Sequence, residues 1–185
     1  MKNGPAGRAG AAQIILLTIV VTTSIIPTVT GKILAEIRQT RPFPSLEAEA
    51  AVNLLRTADT ARRAMEAALR PWGLSSEQFN VLRILRGAGP AGLPCGEIAA
   101  RMVTRDPDIT RLLDRLEARG MLARVRDTKD RRVVISRIRP PGRRALAAVD
   151  GPLHAAIQRL LRPLGPKRLR QFVALLEAVR EGAKE

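Results

Sequence analysis

The sequence predicts a mainly α-helical fold with one small β-hairpin. Aromatic residues make up only 2% of the 185 residues, so the core must be built from Leu, Ile, Val and Ala, a composition that favours helices. Helix-capping residues and apolar positions spaced three and four apart recur along most of the chain. Residues 121–139 differ, because two short β-type runs flank a charged turn there, and these runs predict the hairpin.

The first thirty residues differ in composition from the rest of the chain. No charged residue occurs in 9–31, and this stretch is just long enough to span a bilayer, which takes roughly 20 apolar residues. Five Thr, Gln13 and Pro27 weaken a membrane span, and no clear signal-peptidase site follows. We interpret 1–31 as an apolar extension, which is upstream sequence read from a wrongly assigned start, a membrane anchor, or a flexible tail or export signal. Residues 32–44 are interpreted as a linker.

Three helices are predicted before residue 103. Ser45 is a suitable N-cap for a helix that runs to about Leu69. Ser75 and Gln78 form a capping box that begins a second helix, which stops at a Gly/Pro-rich turn after residue 86. A short third helix is predicted over 95–102.

The fourth helix has the clearest sequence signals. Asp106 suits its N-cap, Pro107 its first position and Gly120 its C-terminal end. Its apolar residues repeat at positions i, i+3, i+4 and i+7, so they form one buried stripe. That stripe consists of Ile109, Leu112, Leu113 and Leu116. The polar residues left facing outward are Asp108, Thr110, Arg111, Asp114 and Arg115.

Two strands and two further helices complete the chain. The strands are predicted over 121–126 and 133–139, on either side of the turn 127–132. Pro140 opens a long helical region to about residue 161, with a bend expected at Pro152. The last helix is predicted over 166–179 and carries an apolar stripe. An exposed stripe of this kind is an aggregation hazard on a monomer, so we expect the outer helices to have a partner.

Positive charge is concentrated in one part of the chain. The protein carries 32 Lys and Arg against 17 Asp and Glu, a net charge of +15. Residues 42–100 hold six charges of each sign, whereas 101–144 hold 14 basic and six acidic residues, a net of +8. Such a surface attracts polyanions, which include nucleic acids and anionic membranes. The scarcity of aromatic residues argues against binding of single strands or RNA by base stacking.

A polar helix beside an arginine-tipped hairpin predicts binding to double-stranded DNA. Two short helices, of which the second presents polar residues, form a helix-turn-helix, and the adjoining hairpin forms a wing. In the major groove, Thr110, Arg111 and Arg115 would approach base edges. Thr104 and Arg105 would meet phosphate, while an arginine of the wing enters a minor groove. The alternative is a solvated helix with i,i+4 ion pairs and a disordered charged loop.

Four segments closely resemble the MarR family of bacterial regulators. They are LSSEQFNVL at 74–82, GEIA at 96–99, DITRLLDRLEARG at 108–120 and DTKDRR at 127–132. The resemblance covers about residues 45–180, in order and at the proper spacing. It implies an obligate homodimer of winged-helix subunits that binds a pseudo-palindromic operator, usually as a repressor released by a small ligand or an oxidant.

The resemblance also assigns residues and domains. Asp130 and Arg132 match the family's wing-tip pair, and Thr110 and Arg111 match its recognition-helix contacts. We expect one domain over 45–182, with dimerisation helices at about 45–70 and 141–182 and the winged helix-turn-helix at about 75–139. The full set of expected DNA-binding residues is Thr104, Arg105, Asp108, Thr110, Arg111, Arg115, Lys129, Asp130, Arg131 and Arg132.

Three residues are weighed individually. Cys95 begins the third helix, where a redox role competes with the commoner one of a small buried hydrophobe. The first helix lacks the reactive Cys of the family's peroxide-sensing branch, and the chain has no Tyr. Trp72 lies at the join between the dimer helices and the DNA-binding lobe, where ligands of this family often bind, although ordinary packing is the default. His154 has no second ligand candidate nearby and is interpreted as a surface or core residue.

Other classes of function have weaker support. An enzyme is not expected, because no nucleophile–base pair, metal-ligand spacing or phosphate-binding glycine loop is recognisable, and no cofactor or metal is expected either. One Cys cannot form an internal disulfide, which favours a reducing, cytoplasmic compartment. The stronger alternative is a membrane-tethered basic protein or a membrane-anchored regulator, which requires the apolar extension to be translated and inserted.

Overall fold

The computed structural model describes residues 31–104, 108–128 and 130–183. The apolar extension predicted for 1–31 lies outside this part of the chain, except for its last residue. Contact density divides the chain into two units, Met1–Glu49 and Ala50–Glu185. In the first unit, α1 (Ile33–Glu36) is a single turn, and the backbone N–H of Gly31 donates to Glu49 Oε1 at 3.2 Å.

Six α-helices, three strands and three short 3-10 helices follow α1 in the described residues. The mainly α-helical fold with a small antiparallel sheet is therefore confirmed. The helices are α2 (Leu46–Leu69), α3 (Ser76–Ala88), α4 (Cys95–Ala100), α5 (Ile109–Ala118), α6 (Pro140–Leu161) and α7 (Gly165–Gly182). The strands are β1 (Leu93–Pro94), β2 (Leu122–Arg126) and β3 (Val134–Ile138).

The predicted caps of the first two long helices are confirmed. Ser45 Oγ accepts a hydrogen bond from the backbone N–H of Ala48 at 3.2 Å and so begins α2. At α3 the capping box is complete, because Ser75 Oγ accepts from the Gln78 backbone N–H and Gln78 Oε1 accepts from the Ser75 backbone N–H, both at 3.2 Å. Between these helices Gly73 adopts a φ of +60°, which a residue with a side chain rarely adopts.

The start of α5 corrects the predicted N-cap. Asp108, not Asp106, caps the helix, because its Oδ1 accepts from the backbone N–H of Arg111 at 3.1 Å. Two aspartates stand two residues apart, and the local sequence does not show which of them meets the free amides. Asp106 and Pro107 themselves lie outside the described residues. At the other end, Gly120 has a φ of +65° just beyond the helix, as its predicted role requires.

The sheet contains one strand that the sequence did not predict. Its order is β1-β3-β2, and all neighbours are antiparallel. The hairpin pairs Leu122 with Ile138 and Arg126 with Val134, so the predicted wing is confirmed. The strand β2 begins one residue later than predicted, and β3 is one residue shorter at each end. The extra strand is only two residues long, too short for a periodic signal. It follows Gly92, where an added Cβ would collide with the carbonyl oxygen of Ser136.

The third helix is also shorter than predicted and ends at Ala100 instead of residue 102. The long helix α6 runs without interruption through Pro152. The last helix extends further in both directions than the predicted 166–179.

One apolar core lies within the second unit. It joins α3, α5, the hairpin and α6, and Gly142 allows α6 to approach closely, since a Cβ there would collide with the carbonyl oxygen of Met121. The predicted stripe of α5 is confirmed, with three of its residues buried and Leu112 partly buried against the core. Among the fully buried side chains are Leu82, Leu85, Leu113, Leu116, Leu122, Leu146 and Val149.

The helices α2 and α7, here called the outer helices, contribute little to this core. Leu69 is the one buried residue of α2 that the structure describes, and no described residue of α7 is buried. Large apolar side chains are exposed on both, namely Leu46, Leu54, Leu55, Val173, Leu175 and Val179. Among residues 31–104, 108–128 and 130–183, no helix combines the length and the apolar character that crossing a bilayer requires.

Candidate nucleic-acid interface

The exposed face of α5 carries the residues predicted to meet base edges. Thr110, Arg111 and Arg115 are all exposed, on the side opposite the buried Leu113 and Leu116. This is the outcome that the apolar stripe predicts, because burial of one side of a helix directs the remaining residues outward. The helix therefore offers one hydroxyl and two guanidinium groups to a ligand in front of it.

Arg111 is held at the start of this face. Its side chain is 77% exposed, and its Nε lies 3.0 Å from Asp108 Oδ2. The same carboxylate caps α5 through its other oxygen. Asp108 was expected to contact DNA, and in the structure it fixes the first turn of the helix and one arginine beside it.

The helix α5 is tied to the wing, defined as β2, β3 and their connecting turn, through Arg124. The Arg124 backbone N–H donates to Glu117 Oε1 at 2.9 Å, and its Nε donates to Glu117 Oε2 at 2.7 Å. Its Nη2 lies 2.6 Å from Asp114 Oδ1. The hydrogen bonds from Arg124 lower the pKa of Glu117, and Glu117 in turn raises the pKa of Arg124. This ion-pair network joins the wing to α5, which is the recognition helix of the expected helix-turn-helix.

Arg124 was not among the residues predicted for the site. The sequence feature that could have indicated it is a basic residue within a short strand, which follows a helix that carries two acidic residues three positions apart. Charge counting treats all three as part of a basic surface, whereas in the structure they neutralise one another. Asp114, predicted to face outward, is exposed, and its carboxylate pairs with Arg124.

The turn of the wing is closed by hydrogen bonds of its own. The Asp127 backbone N–H donates to the Val133 carbonyl at 2.8 Å, and the Val133 N–H donates to the Asp130 carbonyl at 2.9 Å. Asp130 Oδ1 accepts from the Arg132 backbone N–H at 2.9 Å. Asp130 therefore holds the turn through its side chain. Arg131 and Arg132 are exposed at the tip.

Three of the expected DNA-binding residues are not placed on either surface. Arg105 and Lys129 lie outside the described residues. Thr104 is exposed, but it stands just before the undescribed residues that precede α5. The structure thus brings Thr110, Arg111 and Arg115 onto one helix face and Arg131 and Arg132 to one hairpin tip.

Arg119 links the recognition helix to the end of α2. It follows the last residue of α5, and its Nη1 donates to the Gly73 carbonyl at 2.7 Å while its Nη2 donates to the Trp72 carbonyl at 3.1 Å. Trp72 itself is 40% exposed. This contact could not be predicted from the sequence, because the two partners are backbone carbonyls 46 and 47 residues away. The Arg119 guanidinium thus holds the segment that follows α2 against the end of α5 through two hydrogen bonds.

The remaining candidates have surface positions. Cys95 is exposed, so the default of a buried small hydrophobe is wrong for this residue. His154 is exposed as well and borders a groove of about 740 Å³ between α6 and α7, whose apolar lining includes Ile157, Leu161 and Leu169. Within the described part of the chain, no three His, Cys, Asp or Glu side chains are grouped as ligands of a metal ion would be.

Comparisons with known proteins agree with this geometry. Residues 74–134 match the model of the MarR family. The uncharacterized HTH-type transcriptional regulator YkoM of Bacillus subtilis is 31% identical over 140 residues, which are 73% of this chain and 89% of YkoM. The chain belongs to the MarR family. It is therefore a DNA-binding transcriptional regulator with a winged helix-turn-helix.

Solved structures of other proteins show the same fold. The crystal structure of a MarR transcription factor from Planctomyces limnophilus is 36% identical, with a TM-score of 0.58 over 74% of this chain and 98% of that chain. The structure of CouR from Rhodococcus jostii RHA1, bound to p-coumaroyl-CoA, is 28% identical, with a TM-score of 0.63 over 74% of this chain and 95% of that one.

Proposed function

We propose that this MarR-family protein acts as a homodimer that binds a pseudo-palindromic operator in double-stranded DNA and represses transcription until a small ligand releases it. The observation that carries the proposal is the pairing of one exposed polar face on α5 with an arginine-tipped wing. The Arg124 network joins the two surfaces, so the helix and the wing contact DNA as one rigid unit. The described residues of 74–138, here called the reading lobe, contain both surfaces.

Each part of the reader has its own role in the proposal. Thr110, Arg111 and Arg115 meet base edges in the major groove, where arginine recognises guanine with two hydrogen bonds. Arg131 and Arg132, with Lys129 beside them, reach the adjacent minor groove, whose negative potential attracts their charge. Thr104 and Arg105 contact phosphate and position the helix without reading sequence.

The outer helices support the proposed dimer. Leu55 on α2 and Leu175 and Val179 on α7 are exposed apolar residues that a monomer would leave in water. The groove between α6 and α7 adds a further apolar concavity of about 740 Å³ on the same chain. Two copies that bury these surfaces would form a two-fold symmetric dimer, which places one reading lobe at each half of a palindromic site.

Release by a ligand is proposed from the joint between these regions. Arg119 connects α5 with the end of α2, next to the half-exposed Trp72. A ligand that moves α2 relative to the reading lobe would change the spacing of the two recognition helices, and spacing decides whether both halves of an operator are contacted. CouR, a protein of similar fold, was solved with p-coumaroyl-CoA bound.

We extend the proposal to the arrangement of regions along the chain, the cellular compartment and the lack of a catalysed reaction. We place the dimerisation regions at about 45–70 and 141–182 and the DNA-binding region between them, at about 75–139. We also propose that the protein works in the cytoplasm, where operator DNA is found, and that it has no enzymatic activity and no cofactor.

Binding of the purified full-length protein to the DNA that flanks its own coding region tests the proposal. The titration is repeated at several salt concentrations and against a scrambled duplex of equal length. We expect binding at least about a thousandfold tighter to the specific duplex, which is the range of specific over non-specific affinity for such proteins. Equal binding to both duplexes at every salt concentration would contradict sequence-specific recognition of the flanking DNA.

A further inference from the structure

The strand β2 carries a second arginine on the face that is turned toward the recognition helix. Arg124 forms ion pairs with Asp114 and Glu117 of α5, so its side chain lies on the α5 side of the strand. Side chains alternate along a strand, so Arg126, two residues further on, projects from the same face. Arg126 was not among the residues predicted to bind DNA.

Exposure increases along this face from the core toward the turn of the wing. The first facing pair of the hairpin, Leu122 with Ile138, is buried, whereas the last, Arg126 with Val134, is exposed. Arg124 lies between them, with a side chain that is 30% exposed. Arg126 is therefore the residue at which this face leaves the core, just before the chain enters the turn.

Arg126 lies level with the first turn of the recognition helix. Val134, its partner across the hairpin, borders a small cavity that Thr110 also lines. The dimensions agree, because two residues of strand advance about 7 Å, and the helix rises about 6 Å between Asp114 and Thr110. Arg126 thus stands between the polar face of α5 and the tip of the wing.

The charge of Arg126 is available to an anion. In the part of the chain that the structure describes, no carboxylate forms an ion pair with this exposed guanidinium. Arg124 differs, because Asp114 and Glu117 lie 2.6 and 2.7 Å from it. An anion that approached Arg124 would also approach these two carboxylates, which would repel it, whereas Arg126 has no such neighbours among its described contacts.

The position of Arg126 identifies the kind of anion. In the proposed complex, α5 enters a major groove and the tip of the wing enters the adjacent minor groove, so the two straddle one sugar–phosphate strand. A side chain between helix and tip faces this strand and not a base edge. We propose that Arg126 binds a phosphate group of the DNA strand between the two grooves, an inference that rests on the proposed function. The guanidinium can donate two parallel hydrogen bonds to phosphate oxygens.

A phosphate contact at this place positions both DNA-reading elements at once. Contacts to phosphate fix the register of a protein on the duplex and carry no sequence information themselves. The contribution of Arg126 to affinity is therefore the same for every sequence. In this respect Arg126 differs from Thr110 and Arg111, for which base contacts are proposed.

The first test measures binding of Arg126→Ala by fluorescence anisotropy at four salt concentrations, to the flanking duplex and to its scramble. We expect affinity to fall about tenfold on both duplexes and the salt slope to decrease by roughly one phosphate contact. Arg126→Lys keeps the charge and should keep the slope. Equal affinities and slopes for Arg126→Ala and the wild-type protein would overturn the assignment.

Arg137→Ala is the matched control for this test. Arg137 is an exposed arginine of β3 that faces the other side of the sheet, where its Nε donates to the Ala91 carbonyl at 3.2 Å. The variant loses the same charge from the same hairpin, and we expect its salt slope to match that of the wild-type protein. A decrease as large as that of Arg126→Ala would show that only the net charge of the wing matters, and the specific contact would be refuted.

The second test locates the phosphate. A neutral methylphosphonate replaces one phosphate at a time along the flanking duplex, and each duplex is titrated with the wild-type protein and with Arg126→Ala. We expect one position in each half-site where the replacement weakens binding of the wild-type protein but not of the variant, because the variant lacks the group that pairs with this phosphate. Equal losses for both proteins at every position would overturn the contact.

The proposed function and the phosphate contact fail in different ways. Wild-type protein that bound both duplexes equally would contradict sequence-specific recognition, whereas a loss in Arg126→Ala on both would still support the contact. Tight, specific binding by the wild-type protein that Arg126→Ala matched would contradict the contact alone. Wild-type protein that bound no duplex would contradict both.

Discussion

The reading lobe and the outer helices use their apolar residues in opposite ways. In the reading lobe, large apolar residues such as Leu113, Leu116 and Leu122 are buried, and the polar residues Arg124 and Glu117 pair with each other. On the outer helices, Leu55 and Leu175 are exposed. The reading lobe is therefore complete within a single chain, while the outer helices have an apolar surface that a second copy would cover.

The largest expected effect comes from the core of the reading lobe. Leu116→Ala removes a side chain with 0% exposure and leaves a cavity, so we expect a loss of about 2–5 kcal/mol in the free energy of unfolding. Urea denaturation followed by circular dichroism measures this loss. The matched variant is Leu175→Ala on α7, whose side chain is 66% exposed in the single chain. If both variants lost the same stability at a concentration where the protein is monomeric, the two regions would not differ as described.

The second effect concerns the assembly. Leu175→Glu places a charge on the exposed apolar surface of α7 and is expected to convert a dimer into a monomer, as measured by sedimentation velocity. Since two linked readers bind far more tightly than one, operator affinity should fall by at least about a hundredfold. The control is Glu177→Lys, an exposed residue of the same helix whose change removes no apolar surface. A dimer that persists in Leu175→Glu would exclude this face from the interface.

The third effect concerns the link between recognition helix and wing. Arg124→Ala removes the network that joins β2 to α5, so we expect operator affinity to fall about tenfold or more while the protein stays folded. Arg86→Ala is the matched control, because it removes an exposed ion pair with Asp150 that joins α3 to α6. Equal losses of DNA affinity in the two variants would show that general destabilisation, and not the wing, is being measured.

A smaller effect is expected at the tip of the wing. Arg132→Ala removes one exposed guanidinium, so the slope of log affinity against log salt should decrease by roughly one phosphate contact. The backbone bond from Arg132 to Asp130 does not depend on the side chain, so the turn should keep its conformation. Anisotropy titrations at four salt concentrations provide the slope. Identical slopes for wild type and variant would contradict a role of Arg132 in DNA contact.

The smallest effect is a dependence of stability on pH. The pKa of Glu117 is lowered in the folded protein by its hydrogen bonds from Arg124, so this pair stabilises the fold above the usual glutamate pKa near 4.5. That contribution is lost as pH falls through the lowered pKa. We expect Glu117→Gln to reduce stability at pH 7 and to flatten the fall below pH 4.5, measured by thermal melts across pH. Parallel curves for the variant and the wild type would argue against this origin.

The sequence predicted those features that depend on local patterns. Ser45, Ser75 and Gln78 cap their helices, and the stripe of α5 is buried, because capping and periodic burial are decided by residues a few positions apart. The choice between Asp106 and Asp108 as the cap of α5 failed, since both have the right chemistry and only the backbone path distinguishes them.

Features that depend on distant residues were not predicted. The strand β1 forms because β3 offers it an edge, and its two residues carry no pattern of their own. The link made by Arg119 could not be predicted, because its partners are backbone carbonyl groups whose position depends on the tertiary fold. Arg124 was counted with the basic surface, although it forms ion pairs with Asp114 and Glu117 within the reading lobe. The charge of a segment thus predicts its partner better than it predicts which side chains touch that partner.

Selection from a random pool of duplexes with the full-length protein tests whether two chains read DNA as a symmetric pair. Two reading lobes related by a two-fold axis should enrich an inverted repeat whose half-sites are centred about one helical turn apart, roughly 10 base pairs or a multiple of it. We expect such a motif, together with a complex that contains two chains on each duplex. Enrichment of a single half-site bound by one chain, or no enrichment over the starting pool, would contradict it.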